Sequence, residues 1–201
     1  MRFLCACFLG SALLLILPAG NASVAAENCP DAKSAIRPFI VDRGQDWRLA
    51  VVHVDDTLVR TMLRSRDATI LETTEFQGLF ELDRIERRRR KTHRPKTDLK
   101  SSFPLKVGKK IVAEFEVEES GKTYNTTYEL VVQKADTLFI GACKYPVFQI
   151  RKSGALGKEP PRFLYNEYYS PDLKLVIAKE YKNPGGTTTW IKYDRIYSGD
   201  L

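Results

Sequence analysis

Ile111-Val112-Ala113-Glu114-Phe115-Glu116-Val117, the turn Glu119-Ser120-Gly121-Lys122 and the return Tyr124-Asn125-Thr126-Thr127-Tyr128-Glu129-Leu130-Val131-Val132 decide the fold of this 201-residue chain. Apolar residues stand at 111, 113, 115 and 117, with Val112, Glu114 and Glu116 between them. A period of two sends alternate side chains to opposite faces of a strand, whereas a helix would repeat every 3.6 residues. Gly121 gives the turn access to positive φ. On the return, Tyr124, Thr126, Tyr128, Leu130 and Val132 form one face, and Asn125, Thr127, Glu129 and Val131 the other. The stretch predicts an antiparallel hairpin.

The same pattern extends both ways. Towards the N-terminus, Leu49, Val51 and His53 alternate with Ala50, Val52 and Val54 until Asp55-Asp56 interrupts. Leu58 to Arg64 resumes the run, Ala68 to Thr74 is β-branched up to Gln77-Gly78, and Phe80 to Ile85 alternates before dissolving into charge. Towards the C-terminus, Thr137 to Ile150 reads as one strand carrying Cys143, bent by Gly141 and Pro146. Phe163 to Tyr169, Leu173 to Tyr181 and Thr187 to Tyr197 follow, separated by Ser170-Pro171-Asp172 and Asn183-Pro184-Gly185-Gly186. No stretch sustains a helical period and no repeat is detectable. Eight to ten strands, joined mostly as neighbours, are expected. The fold class is all-β: a single antiparallel domain over 27–201, closing into a curved or barrel-like sheet because closure removes exposed edges. A two-sheet sandwich is the alternative.

Residues 1–26 read as a cleavable secretory signal. Arg2 is the only charge before Glu27, an apolar run from Phe3 to Leu17 follows it, and Val24-Ala25-Ala26 supplies small residues at the cut. A retained anchor would need about 20 apolar residues, and here Pro18, Gly20 and Asn21 intervene after roughly 15. A lipoprotein signal would need a cysteine just after the apolar run, whereas Cys5 and Cys7 lie at its start. After cleavage 31 basic residues face 25 acidic ones, a net charge of +6, and no remaining run is long enough to span a bilayer. The expected location is the periplasm. Two cysteines remain, Cys29 and Cys143, and an even pair in an exported chain is most simply one disulfide; two unpaired cysteines are the alternative.

Charge is segregated along the mature chain. Arg84 to Lys110 holds twelve basic residues against Glu86 and Asp98, a local +10, so the rest of the mature domain is net −4. A block that repels itself is expected to be a solvated loop over about 87–98. Arg87, Arg88, Arg89, Arg90, Lys91, Arg94 and Lys96 are the candidate anion-binding residues. Their partner would be an anionic envelope component or an acidic protein; a loop whose charge only aids solubility is the plain alternative. Nucleic acid is not expected, since the tract lacks interleaved aromatics for base stacking.

The sequence carries no assignable catalytic constellation, implies no cofactor and holds no recognisable metal set. Only His53 and His93 remain as imidazoles. His53 and Asp55 share a strand face at a commonplace spacing, with no flagged nucleophile. His93 lies within the basic tract, where cations oppose metal binding. Glu114/Glu116 and Glu118/Glu119 read as the solvated face of the hairpin. Phe163, Tyr165, Tyr168, Tyr169, Tyr181, Trp190, Tyr193 and Tyr197 crowd the C-terminal third; they read as core and cross-strand pairs, or as the lining of a concave ligand site.

Phe103-Pro104-Leu105-Lys106-Val107-Gly108-Lys109, Gly141-Ala142-Cys143-Lys144-Tyr145-Pro146-Val147-Phe148-Gln149-Ile150 and Tyr168-Tyr169-Ser170-Pro171-Asp172-Leu173-Lys174-Leu175-Val176 together resemble exported β-rich domains of unknown function from Gram-negative bacteria. The resemblance covers roughly residues 100–182 and rests on turns and core positions. It implies periplasmic residence and a curved or barrel-like sheet distantly similar to lipoprotein-carrier folds, and it carries no activity. The expected function is that of a non-enzymatic periplasmic envelope protein, binding or structural. A carrier of a lipid or other apolar ligand inside the β-structure is the alternative, and an enzyme of unknown type the third reading.

Overall fold

The computed structural model describes residues 29–199 except 67, 158, 160–162, 184 and 185. The signal expected over 1–26 lies outside the described residues, as does the middle of the 183–186 turn. Thirteen strands form one antiparallel sheet. They are β1 (Phe39–Arg43), β2 (Trp47–His53), β3 (Leu58–Ser65), β4 (Ala68–Phe76), β5 (Phe80–Glu86), β6 (Arg89–Pro95), β7 (Lys110–Glu119), β8 (Lys122–Ile140), β9 (Cys143–Leu156), β10 (Phe163–Ser170), β11 (Leu175–Lys182), β12 (Thr188–Lys192) and β13 (Arg195–Ser198). Every strand from β1 to β12 pairs with its neighbour in sequence, and β13 pairs with β1 at the far edge. The sheet is curved, all-β and antiparallel, without a closing ladder between its two edge strands.

The alternation that predicts the central hairpin is the alternation that buries it. Ile111, Ala113, Phe115 and Val117 are at most 5% exposed, while Val112 and Glu114 face water. Gly121 takes φ 74° at the turn, and Lys110 to Glu119 pair with Val131 to Lys122. Two buried apolar clusters result. One gathers Phe39, Val51, Cys143, Tyr145, Leu173 and Ile177; the other gathers Phe76, Phe80, Phe115, Leu130, Ile150 and Tyr169. Cys29 and Cys143 are joined by a disulfide spanning 114 positions. Cys143 Sγ lies 3.6 Å from the Ile196 carbonyl, so the bridge, the β8–β9 turn and β13 pack together.

Four expectations change. The strand drawn from Thr137 to Ile150 is instead the tip of a long hairpin: β8 runs to Ile140, turns at Gly141-Ala142 and returns as β9. Gly141, at φ 57°, makes this a turn, and Pro146 sits where β10 no longer pairs beside β9. Second, β1 is a strand that the sequence reading passed over, and the described residues hold thirteen strands against the eight to ten expected. Third, Thr187 to Tyr197 is two strands. β12 pairs with β11, Tyr193-Asp194 cross over, and β13 pairs with β1 on the opposite edge. Three Cα–Cα steps from Lys192 to Arg195 reach at most about 11 Å, so the two edges approach one another there. Asp194 N–H donates to the Asp42 carbonyl at 2.8 Å on the β1 side.

The fourth change concerns the basic tract. Arg89–Pro95 is not a loop but strand β6, paired with β5 on one side and β7 on the other. Repulsion is relieved by acids on the flanking strands. Arg90 forks onto both carboxylate oxygens of Asp83, at 2.8 and 2.9 Å; Arg94 reaches Glu118 at 2.8 Å and Glu116 at 3.6 Å; Lys91 stands 3.9 Å from Glu119. The same-signed residues of β6 are therefore separated by opposite charges across each ladder. Among the described residues no helix is long and apolar enough to cross a membrane.

Candidate functional site

Each hairpin from β1–β2 to β11–β12 closes at one end of the sheet, and the alternate connections close at the other. The β5–β6 turn is Arg87-Arg88, both at positive φ and exposed. Of the seven candidate anion-binding residues, Arg90, Lys91 and Arg94 have acidic partners, and Lys96 Nζ donates to Asn125 Oδ1 at 2.6 Å. Arg87, Arg88 and Arg89 make no ion pair within 4 Å with any described residue. An open cleft of about 570 Å³ is lined by Arg87 and Arg89, with Glu81, Arg84, Glu86, Arg90, Lys91 and Glu119.

Behind this cleft lies a cavity of about 410 Å³ inside the curve of the sheet, and Glu81, Arg84 and Lys91 line both. Its floor holds charges that sequence reasoning missed. Glu167 on β10 is 1% exposed and stands directly across from Lys179 on β11. Lys179 Nζ is 3.2 Å from Glu167 Oε1; Lys152 Nζ on β9 donates to the same oxygen at 3.4 Å and to the Leu79 carbonyl at 3.3 Å. Both ammonium groups also sit over rings, Lys179 over Tyr165 and Lys152 over Tyr128. Burial would raise the Glu167 carboxyl, but the two lysines outweigh it and hold it below its ordinary value; burial likewise opposes the lysine charges, and Glu167 holds both above theirs.

Glu75 on β4 faces the same cavity without a hydrogen bond or ion pair to any described residue. Burial pushes its carboxyl up to about 7, with Lys179 and Lys152 partly offsetting the shift. Around the cavity Arg43, Arg84, Lys91, Lys152 and Lys179 stand against Glu75, Glu81 and Glu167. The remaining wall is largely apolar and aromatic. Phe163 stacks at 5.3 Å on Tyr165, which stacks at 5.0 Å on Tyr181, and Trp47 and Tyr193 contribute further ring surface. Tyr168, by contrast, packs with Trp190 away from the cavity wall, and Tyr169 hydroxyl donates to the Gln77 carbonyl at 2.8 Å. The C-terminal aromatics thus divide between core, cross-strand pairs and cavity lining.

The histidines take separate structural places. His53 Nε2 is 3.0 Å from the Leu173 carbonyl, while Asp55 accepts from Thr57 N–H at 2.6 Å and Leu58 N–H at 2.8 Å; no hydrogen bond joins them. His93 is not in a solvated loop: β6 turns it inward to 3% exposure between Phe115 and Tyr128. Burial pushes the imidazole down to about 4, so it is neutral beside Glu81. An imidazole at 6.5 in the unfolded chain and about 4 in the folded one stabilises fully above pH 6.5 and progressively less down to about 4. Glu75, raised to about 7, has the opposite slope from its unfolded value upwards. The expected result is therefore differential: between pH 6.5 and 4, His93→Gln loses less melting temperature than the wild type, measured by circular dichroism at matched pH.

No protein-family model matches the chain, and no curated protein matches it by sequence. Among the solved structures similar to it are two. One is the hypothetical lipoprotein YmcC from Escherichia coli, at 11% identity and TM-score 0.47, covering 77% of this chain and 86% of that one. The other is a protein described as exported, with a YmcC-like fold, from Bacteroides fragilis, at 10% identity and TM-score 0.36, covering 81% and 93%. Neither description states an activity.

Proposed function

We propose that this is an exported periplasmic envelope protein with a non-enzymatic binding role, and that Arg87, Arg88 and Arg89 meet an anionic envelope component such as a phosphate-bearing headgroup. The observation that carries the reading is that these three arginines stand at a hairpin tip without an ion pair within 4 Å to any described residue, Glu86 being the nearest acid and already bound by Arg84, while Arg90, Lys91 and Arg94 beside them are paired. Export is supported by the leader pattern of residues 1–26 and by the Cys29–Cys143 disulfide, a bond at home outside the reducing cytosol.

A basic residue near an anionic surface contributes about 1 kcal/mol. The Arg87→Gln, Arg88→Gln, Arg89→Gln triple variant is therefore expected to bind vesicles containing phosphatidylglycerol about 100-fold more weakly than the wild type. Wild-type binding is expected to fall steeply as salt is raised. Co-sedimentation measures both. Equal binding to neutral vesicles, or an unaffected triple variant, would sink the reading, and salt-sensitive capture of an acidic protein in preference to vesicles would transfer it to that partner.

The cavity supports the carrier as a second reading, with one amendment. Its volume lies at the lower end of the roughly 300–1,000 Å³ of small-molecule sites, but the floor is charged, so a wholly apolar lipid is a poor match.

A further inference from the structure

We infer that the cavity is a binding site for a small amphiphilic anion, held with its charged head inward at Lys179 and Glu75 and its apolar body along the Phe163–Tyr165 wall. This deepens the carrier reading and rests on it; it is independent of the contact proposed for Arg87 to Arg89.

Charge comes first. The lining has five cations and three carboxylates, and on the floor Glu167 alone is paired with both Lys152 and Lys179. While Glu75 carries its proton, one carboxylate cannot neutralise two ammonium groups, so the floor keeps a surplus positive charge. The donors point the same way. Of its three N–H donors Lys179 commits one to Glu167, and 37% of its side chain is reachable by water. The Glu75 carboxyl, half-buried, faces the cavity with no hydrogen bond or ion pair to any described residue, so it is free to meet a guest. A neutral apolar guest would strip water from both groups and return nothing. A cationic guest would meet the excess of positive charge. An anionic head accepts from Lys179 and from a protonated Glu75 at once, and the rings beside them shelter the rest of the molecule. The chamber has room for one ring system or one short chain rather than a two-chain lipid.

Glu75 makes the affinity depend on pH. The groups that face it are Glu81 on β5, Lys152 on β9, Glu167 and Tyr169 on β10, Lys179 on β11 and Tyr193 in the crossover. Below about 7 the carboxyl carries its proton and can donate to the guest; above, it is ionised and repels it. Affinity for a permanent anion therefore falls as pH rises through that value.

Two dyes separate the premises: 1-anilinonaphthalene-8-sulfonate and N-phenyl-1-naphthylamine, which has the same rings without the sulfonate. Fluorescence titration of the purified exported protein is expected to show the sulfonate bound at least about tenfold more tightly at pH 6 than the neutral dye. Lys179→Met is expected to remove that advantage and leave the neutral dye unchanged. Raising the pH to 8.5 is expected to weaken the sulfonate about tenfold in the wild type and not in Glu75→Gln, which keeps a neutral donor at every pH. Leu71→Trp and Leu63→Trp each place a ring into the cavity wall, and whichever keeps the wild-type melting transition is expected to displace both dyes. Equal affinity for the two dyes would overturn the anion assignment and leave the chamber. No binding by either, or binding untouched by the tryptophan variants, would overturn the chamber itself.

Discussion

Replacing Glu167 with leucine is expected to destabilise the protein by about 3 kcal/mol, because it strands two lysines inside the sheet. Lys152 suffers most: its side chain is 13% exposed, and it keeps only the Leu79 carbonyl at 3.3 Å as a hydrogen-bond partner and the Tyr128 ring beneath it. Lys179 is 37% exposed and can turn to water, which limits the loss. For a domain of this size the melting temperature should drop by about 6–12 °C. Adding Lys152→Met to Glu167→Leu should return most of that loss, since an apolar pair does not have to be desolvated against its charge. Thermal melts of the two single variants and the double variant form the cycle. If Glu167→Leu alone melts within a degree of the wild type, the charged floor has no energetic role.

The second large effect belongs to the disulfide. A bridge closing a loop of more than 100 residues removes about 4–5 kcal/mol of chain entropy from the unfolded state, and natural bridges in small exported domains are worth about 2–5 kcal/mol when removed. Cys29→Ser with Cys143→Ser is expected to lie within that range. The loss should be local as well as global: Cys143 packs on the backbone of β13, which holds β1 in register from Phe39↔Ser198 to Asp42↔Arg195. Hydrogen exchange of the reduced protein should accelerate first in 39–43 and 195–198. Uniform acceleration across β7 and β8 would instead show that the bridge acts only on the unfolded chain.

The central hairpin was legible because one face is buried and the other wet, so alternation and register carry the same information. The disulfide was legible from the cysteine count. The misreadings share one cause: a local pattern does not identify the neighbour. Arg89 to Lys91 looks like a solvated block until β5 and β7 bring Asp83 and Glu119 alongside. Thr137 to Ile150 contains its own turn, hidden because Pro146 competes with Gly141 as the apparent break. Glu75, Lys152, Glu167 and Lys179 lie on four different strands, up to 104 positions apart, and each taken singly is an ordinary charge in an amphipathic strand. Glu167 and Lys152 carried a faint signal, standing where the alternation of β10 and β9 points inward beside Tyr169 and Ile150. What joins the four is the curl of the sheet, which no one-dimensional spacing records.

The partner exchange of the last run, from β11 to β1, bears on the order in which the molecule can assemble. All other strand pairings join consecutive strands, so each can form as soon as its second member has been made and delivered, with little loop entropy to overcome. The pairing of β13 with β1 must wait for Arg195–Ser198, because Ser198 returns to Phe39 across the whole sheet. Until then β1 is an unpaired margin that can recruit another chain; once it is covered, β12 and the short β13 are the edges that remain. A protein delivered amino end first thus passes most of its length as an unfinished ribbon, and the eleven residues from Thr188 to Ser198 bring the two margins of that ribbon together at one corner.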